Sequence, residues 1–482
     1  MPSRSLNRVL IVHPSRGRPA EALKCFRQTI GRSTGETEIT YIFSLDSDDP
    51  RLGEYQTDFQ IDGVTVLFYV YKNSGCCGAV NRAYSIELLS RHDFVILHSD
   101  DMELCDRWDL RLKEVFNLVG YDKVIKTKQG FNDSVLTLQI AGAQAFIEYG
   151  TFFWPEYKSL FGDNDLTEWA RATGRWVEEM EIYCPHLHPW NKIDGAFAWD
   201  ETYRRENEQK NTIEGRRLFE NRKNVGFPAY RPKPQKEDFI YPFQYDNQAA
   251  DKAMKRLICS MESIRDAQGL SFLLINASDR CILKELASAG NEFRYSRIKC
   301  PRPGMKGRIL NHAFKNLALS DYIFQSDIDL IYPLGFYSAM GAIPRIDKQG
   351  RPVRLMFANY YLGREIYTSD YGWIKANIKN LQSPHPIDFA AGNGLIHRAS
   401  FNLIGGYFEG IVGWGQEDIE LNERLSRINR TLINYDVLTY HLWHENNKPN
   451  ENQNKYTVKR RLLELENAER AGRLTLTTIR AQ

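Results

Sequence analysis

A series of short apolar runs, each closed by an acidic or small-residue turn, is written twice along this chain. That repetition restricts the fold more than any other feature. In the first half, residues 8–13 read as a strand ending in Pro14, Ser15 and Arg16, followed by a helical pattern with Ala22, Leu23 and Phe26 on one face. Residues 39–45 form a second strand closed by Asp46, residues 64–70 a third, and residues 94–97 a fourth that leads into Ser99-Asp100-Asp101. The second half repeats the order. Residues 239–242 make a short strand ending at Pro242, just before Gln244. A helical pattern over 247–264 follows, with Met254, Leu257, Ile258 and Met261 on its face. Residues 271–275 form a strand closed by Asn276, and the run 322–324 leads into Gln325-Ser326-Asp327-Ile328-Asp329. A turn with Gly-x-x-Gly and Asn-x-Ala occurs in both halves, through Gly75, Gly78, Asn81 and Ala83, and through Gly304, Gly307, Asn311 and Ala313, the latter enclosing Lys306. Farther on, Asp163-Asn164-Asp165 stands opposite Glu417-Asp418. The intervals from Asp165 to His186 and from Glu420 to His441 are both 21 positions.

Strands alternating with helices predict an α/β fold with a mostly parallel sheet and a ligand at the carboxyl ends of the strands. Two such series predict two tandem domains, over residues 1–200 and 237–450, and 482 residues are enough for two separate cores. Residues 201–236 are charged, poor in apolar positions and closed by Pro228, Pro232 and Pro234, so they read as a solvated linker helix. Residues 451–482 read as a basic helix and tail with Val458, Leu462, Leu463 and Leu465 as its apolar positions.

Carboxylates at a strand end, with histidines closing a later apolar run, make an oxygen-rich site with one nitrogen ligand. Such a site suits Mn²⁺ or Mg²⁺ beside a diphosphate. An isolated Asp-x-Asp is most often a solvated turn, and core filling is the bland alternative for Trp414. The turn at Gly75 would suit a phosphate at a helix N-terminus, or be a helix start with no ligand. It is the order of Asp327-Ile328-Asp329, then Gly413-Trp414-Gly415-Gln416-Glu417-Asp418, then His441 and His444, that gives the pattern weight.

In that order the C-terminal half resembles the GT-A glycosyltransferases of the chondroitin-polymerase and β-1,4-galactosyltransferase kind. The resemblance implies two tandem GT-A domains, that is, Rossmann-like nucleotide-diphospho-sugar transferases. It implies metal-dependent, inverting transfer from a nucleotide sugar, most simply a UDP-sugar, to a glycan or lipid-linked glycan acceptor in surface polysaccharide synthesis. In the second domain it assigns Asp329 with His441 or His444 to the metal, and Pro242, Gln244, Asn276, Lys306, Asn311 and Asp327 to the donor. Trp414 and Glu417 go to the acceptor, and Asp418, beside Glu417, is the base. In the first domain the corresponding sets are Asp101, His186 and His188 for metal, and Pro14, Ser15, Arg16, Asp46, Gly78, Asn81 and Asp100 for donor. Asp163 or Asp165 is the base there. That domain lacks the Gly-Trp-Gly turn, so it reads either as a second transferase, making the chain bifunctional or polymerising, or as a non-catalytic acceptor-binding module. A glycan-binding protein with two dead sites and a nucleotidyltransferase are the remaining rivals.

Composition adds exclusions. A net charge of +2 gives no reason to expect nucleic-acid binding. No apolar run reaches membrane-spanning length and none has the flanks of a signal peptide. Eight cysteines without metal spacing fit reduced thiols. The expected location is cytoplasmic, with the basic tail suited to peripheral contact with an anionic inner membrane surface.

Overall fold

The computed structural model describes residues 7–55, 59, 61–130, 134–232, 237–245, 250–264, 270–278, 280–290, 292–300, 304–333, 335–362, 376–377, 388–413, 415–442 and 451–471. Two compact units divide the chain, Met1–Pro234 and Gln235–Gln482.

Unit 1 has the strands β1 (Asn7–Ser15), β2 (Thr37–Asp46), β3 (Val64–Tyr71), β4 (Phe94–Leu97), β5 (Val124–Lys128), β6 (Gln139–Gly142) and β7 (Trp176–Tyr183), in the order β3-β2-β1-β4-β6-β5-β7. Pairings β3–β2, β2–β1, β1–β4 and β5–β7 are parallel, and β6 runs antiparallel to both β4 and β5. β1 and β4 are buried almost throughout, on both of their faces, which is why they read as continuous apolar runs rather than alternations.

Unit 2 has β8 (Glu237–Phe243), β9 (Leu270–Asn276), β10 (Phe293–Arg297), β11 (Tyr322–Gln325), β12 (Leu330–Ile331), β13 (Val353–Tyr361), β14 (Asp388–His397) and β15 (Arg430–His441). Their order is β10-β9-β8-β11-β14-β13-β15-β12. Strand by strand this repeats unit 1, with the same parallel pairs and with β14, like β6, running antiparallel to both neighbours. β12 is the addition, a short strand antiparallel to β15.

The shared turn is built alike in both units. Gly75 and Gly304 have φ of +78° and +74°, and a Cβ on either would lie 2.2 Å from Lys158 O or 2.6 Å from Gly413 Cα. Only glycine lets these turns press against the loop ahead of the acidic helix. Asn81 and Asn311 then clamp that loop. Asn81 accepts from the Phe153 N–H at 2.8 Å and donates to its carbonyl at 2.7 Å; Asn311 does the same with Tyr407 at 2.7 and 2.9 Å. The second turn carries one more residue between glycine and asparagine, and a π-helical turn, Ala313–Leu317, follows it.

One expectation needs correction. Residues 201–224 are not a solvated linker: helices Glu201–Glu206 and Gln209–Asn224 are part of unit 1. Arg222, 4% exposed, makes a two-pronged ion pair with Asp165 at 2.8 and 3.0 Å, and its guanidinium lies 3.5 Å over the Trp154 ring. The segment docks through charge-assisted bonds to a buried carboxylate, which apolar periodicity does not register. Likewise helix Glu451–Arg470 packs on unit 2 through buried Val458 and Leu465, Asn454 to Val412 O at 3.1 Å, and Arg461 to Glu420 at 3.1 Å. Two of its four apolar positions are thereby committed to the protein itself.

Candidate active site

In unit 2, three segments bring charge together at the carboxyl end of β11. The turn after β11 supplies Asp327 and Asp329. Helix Lys306–His312 opens with Lys306, and helix Glu417–Leu425 carries Glu417 and Asp418 in its first turn. Lys306 Nζ lies 2.7 Å from Asp327, 2.8 Å from Asp418 and 3.6 Å from Glu417. Tyr407 OH lies 2.7 Å from Asp418 and 2.6 Å from the Gln325 carbonyl, and the Gln325 amide donates to Gly392 O at 2.9 Å. Gly392, on β14, floors the cluster: a Cβ there would sit 2.5 Å from Asp418 and 2.8 Å from Lys306. Beside it, the last residue of β15, His441, puts Nε2 3.5 Å from Asp329, with Leu442 N–H bonded to Asp329 O at 2.8 Å.

The neighbouring acids titrate apart. Burial opposes ionisation of Asp418, but the Lys306 charge and the Lys306 and Tyr407 hydrogen bonds outweigh it and hold its pKa below the ordinary value. Glu417 is pushed up to about 8, first by burial and then by the Asp418 charge, and its Oε2 is buried without a hydrogen-bond partner among the described residues. Burial also raises Asp327, against the pull of Lys306. Desolvation opposes the Lys306 charge, but the Asp327 and Asp418 carboxylates, joined by Glu417 once it ionises, outweigh it and keep the ammonium firmly charged. At neutral pH the cluster thus holds an anionic acceptor, Asp418, beside a neutral carboxyl, Glu417.

This splitting has a consequence for stability. Folded Glu417 keeps a proton up to about pH 8 that the unfolded chain releases near the ordinary value of 4.5. Stability therefore falls as pH rises through that window, by at most about 1.4 kcal/mol per pH unit. In chelator, Glu417→Gln is expected to flatten that slope in urea melts between pH 5 and 8. Parallel pH profiles for parent and variant would remove the assignment.

Unit 1 carries a thinner version. His186 Nε2 lies 3.2 Å from Asp101, matching His441 on Asp329, and Leu187 N–H bonds Asp101 O. Ser99 stands where unit 2 has Asp327 and donates to Asp101 at 2.6 Å. Asp163 occupies the first turn of helix Gly162–Ala172, as Asp418 does in its helix, and Gly162 takes the place of Glu417. Both helices are entered through a left-handed non-glycine residue, Phe161 at φ +75° and Gln416 at +76°. Burial raises the Asp163 carboxyl.

Several predicted residues have structural employment instead. Asp165 cannot be a base: Arg222, Tyr149 and Tyr157 occupy both its oxygens. Its counterpart Glu420 is locked by Arg424 at 2.6 and 2.7 Å, both fully buried. Asp100 bonds His13 at 2.9 Å and Ser15 at 3.1 Å. Asn81 and Asn311 are the loop clamps already described. Asn276 is fully buried and spent on Arg280 O and Tyr295 OH. His188 does not reach Asp101; burial lowers its pKa to about 4, and its Nδ1 accepts from Trp190 N–H. Gln244 braces the turn ahead of Lys306 through Met305 N–H at 3.1 Å, Pro242 lies within β8, and Gly78 lies in helix Gly75–Asn81. At the mouth of unit 1, beyond Pro14, Arg16 reaches Asp46 at 3.1 Å. Trp414 and His444 lie outside the described residues.

The sequence reading missed Tyr407, Gln325, Arg82, Arg18 and Tyr203. Arg82 holds Asp46 at 2.8 Å, and Tyr203 donates to Asp101 at 2.8 Å. Gln325 adjoins the Asp-x-Asp and was findable; Tyr407 carries no local signal. In the core of unit 1, His13, Cys25 and His98 also converge, with their ligand atoms within 4.8 Å of one another.

The donor set of Asp327, Asp329 and His441 fits a hard divalent cation: two carboxylates, one imidazole, and a lysine near enough to share a diphosphate's charge. Residues 376–445, which include Glu417, Asp418 and His441, match the family described as N-terminal domain of galactosyltransferase. No curated protein matches the chain. Among solved structures, GalNAc-T7 with UDP, GalNAc and Mn²⁺ is similar at 14% identity and TM-score 0.34, over 48% of each chain. The TarS protein of S. aureus is similar at 12% and 0.28, over 37% of this chain and 36% of its own. The mannosyltransferase PcManGT from Pyrobaculum calidifontis, in complex with GDP-Man and Mn²⁺, is similar at 12% and 0.31, over 49% of this chain and 65% of its own. The chain thus spans about half of GalNAc-T7 and little more than a third of TarS.

Proposed function

We propose that unit 2 is a GT-A glycosyltransferase centre that moves a sugar from a nucleotide sugar to a glycan hydroxyl. The observation that carries this reading is the cluster of Lys306, Asp327, Glu417 and Asp418 beside the Asp329–His441 pair; of these, Glu417, Asp418 and His441 lie in the stretch 376–445 that matches the galactosyltransferase family. Asp327, Asp329 and His441 would hold a divalent ion, Mn²⁺ or Mg²⁺, which when bound neutralises charge on the departing diphosphate. Lys306 is the counter-charge of Asp327 and Asp418; an incoming diphosphate competes for that ammonium and releases the Asp418 carboxylate to the acceptor. Asp418 then accepts the proton of the attacking hydroxyl, held in place by Tyr407. Neutral Glu417 can donate a hydrogen bond to the acceptor sugar. Attack from the face opposite the leaving diphosphate inverts the anomeric centre.

Unit 1 is read as a second centre of the same kind with fewer charges: Asp101 and His186 for the ion, Asp163 for the base, and Arg16 and Asp46 at the donor mouth. Two centres on one chain suit an alternating surface polysaccharide. A specific observation favours the rival in which unit 1 only holds acceptor: Ser99 and Gly162 remove two carboxylates, and Tyr203 sits on Asp101. No helix among the described residues is long and apolar enough to cross a membrane. The proposed location is cytoplasmic, at most peripheral to the inner membrane.

The deciding assay incubates the protein with a panel of UDP-, GDP- and CMP-sugars and Mn²⁺ and measures released nucleotide. Release is expected with at least one donor, and it should drop to background when EDTA exceeds the metal. Undiminished release in EDTA overturns the metal; no nucleotide sugar bound in saturating Mn²⁺ overturns the transferase.

A further inference from the structure

Unit 1 carries a cluster of aromatic rings that its own chemistry does not use. After His186 the chain runs through His188, Trp190 and Trp199 into helix Glu201–Glu206, which carries Tyr203. The ring centroids form a connected set: His188–Trp190 5.1 Å, Trp190–Trp199 5.5 Å, Trp199–Tyr203 5.9 Å and His188–Tyr203 4.7 Å. Trp190 is 54% exposed and Trp199 40%, while Tyr203 is 6% exposed. Large aromatics left this open, at a site otherwise held by hydrogen bonds, mark a surface that gains from being covered.

We propose that this corner is a carbohydrate-stacking subsite, which binds a pyranose residue of the acceptor chain next to the Asp101–His186 pair. The inference rests on the transferase reading for its placement beside a reacting centre, not for binding itself. Four features select the ligand class. First, the two indoles meet at 64°, and Trp199 meets His188 at 84°, so they form a corner rather than a flat slot. A corner takes a saturated ring, with an apolar C–H face on one wall and equatorial hydroxyls at the other, better than it takes a planar base.

Second, neither indole N–H is hydrogen-bonded among the described residues, in rings that are 54% and 40% exposed. Two donors are thus left for hydroxyl oxygens. Third, the charge at the back of the corner is already met: Arg18 makes a two-pronged pair with Asp200 at 2.6 and 2.7 Å and lies 4.0 Å over the Tyr203 ring. That arrangement holds the platform in place without offering its cation to a phosphate, and a rigid platform loses little entropy on binding. Fourth, Tyr203 joins the corner to the reacting centre, since its hydroxyl donates to Asp101 at 2.8 Å and His186 lies on the same carboxylate.

The test titrates the full chain with cellotetraose, laminaritetraose, chitotetraose, maltotetraose and a chondroitin tetrasaccharide. Binding is followed by tryptophan fluorescence and ligand-observed NMR. At least one saccharide should bind, and Trp190→Ala and Trp199→Ala should each weaken it by ~10-fold or more, with Trp→Phe at the same positions recovering the stacking share of the loss but not the share due to the N–H. Circular dichroism melts check that each variant is folded, and the Phe variants keep the test decisive if an Ala variant is not. Equal affinity in the parent and both Ala variants, or no binding by any saccharide, overturns the subsite. UDP binding in Mn²⁺ by the parent, weakened by Asp329→Ala or by Asp101→Ala, reports the transferase reading separately. Saccharide binding without UDP binding would leave the subsite standing and remove the enzyme.

Discussion

Asp418→Asn is expected to lower turnover by a factor on the order of 10² to 10⁴, the usual cost of losing a general base, with donor affinity changed no more than about threefold. The substitution keeps the shape of the side chain, so Tyr407 and Gln325 still have an oxygen to approach. What it removes is the anion. Asp418 is the carboxylate of this cluster whose ionisation Lys306 and Tyr407 favour against burial, and the amide cannot accept a proton at any working pH. Lys306 loses one partner but keeps Asp327 at 2.7 Å, so the ammonium is retained for the donor. The measurement is a comparison of kcat with the affinity for nucleotide sugar, taken from single-turnover and equilibrium titrations of the same preparation. A variant that loses donor affinity while keeping its rate once bound places this loop at the donor, and Glu417 becomes the next candidate base.

Much of the fold could be read in the sequence because buried parallel strands write themselves as continuous apolar runs, and both units contain the same strand order. The interval of 21 residues also has a physical basis. It runs from a fully buried anchor, Asp165 or Glu420, through the acidic helix and the last long strand, to the histidine facing the strand-end carboxylate. What could not be read was the choice between ligand and anchor. Asp163 and Asp165 are two positions apart in one helix, yet Arg222, 57 positions from Asp165, decides which of them is spent. Asn81 and Asn311 look like ligands in a glycine-rich turn, but each satisfies one backbone N–H and one carbonyl of a distant loop. Lys306 meets Asp418 across 112 positions, and no local pattern announces that contact. Residues 201–224 failed as a linker because their docking is electrostatic, through Arg222 and Tyr203, and leaves no apolar stripe.

Replacing Asp329 or Asp101 by alanine should separate the two units, and the result expected is that each variant adds one sugar to an acceptor and stops. Every member of the unit 2 cluster comes from residues beyond 300, and every member of the unit 1 set from residues before 207, so each substitution acts on one centre. Asp329→Ala removes the carboxylate facing His441 and leaves an imidazole and Asp327, too few ligands to hold a hard cation tightly. Turnover by unit 2 should fall to background, because charge on the leaving diphosphate then goes unmatched. In unit 1 the metal set already lacks one carboxylate, with Ser99 in place of an aspartate. Its ion should therefore bind more weakly in the parent, and Asp101→Ala should abolish what binding there is. Mixing the two variants should restore longer products, since the intact centre of each completes the other's alternate step. Product length is read by mass spectrometry of a labelled acceptor. If Asp101→Ala makes the parent's products at the parent's rate, unit 1 transfers nothing. The Ser99 and Gly162 replacements would then mark a module kept for holding the glycan while unit 2 extends it.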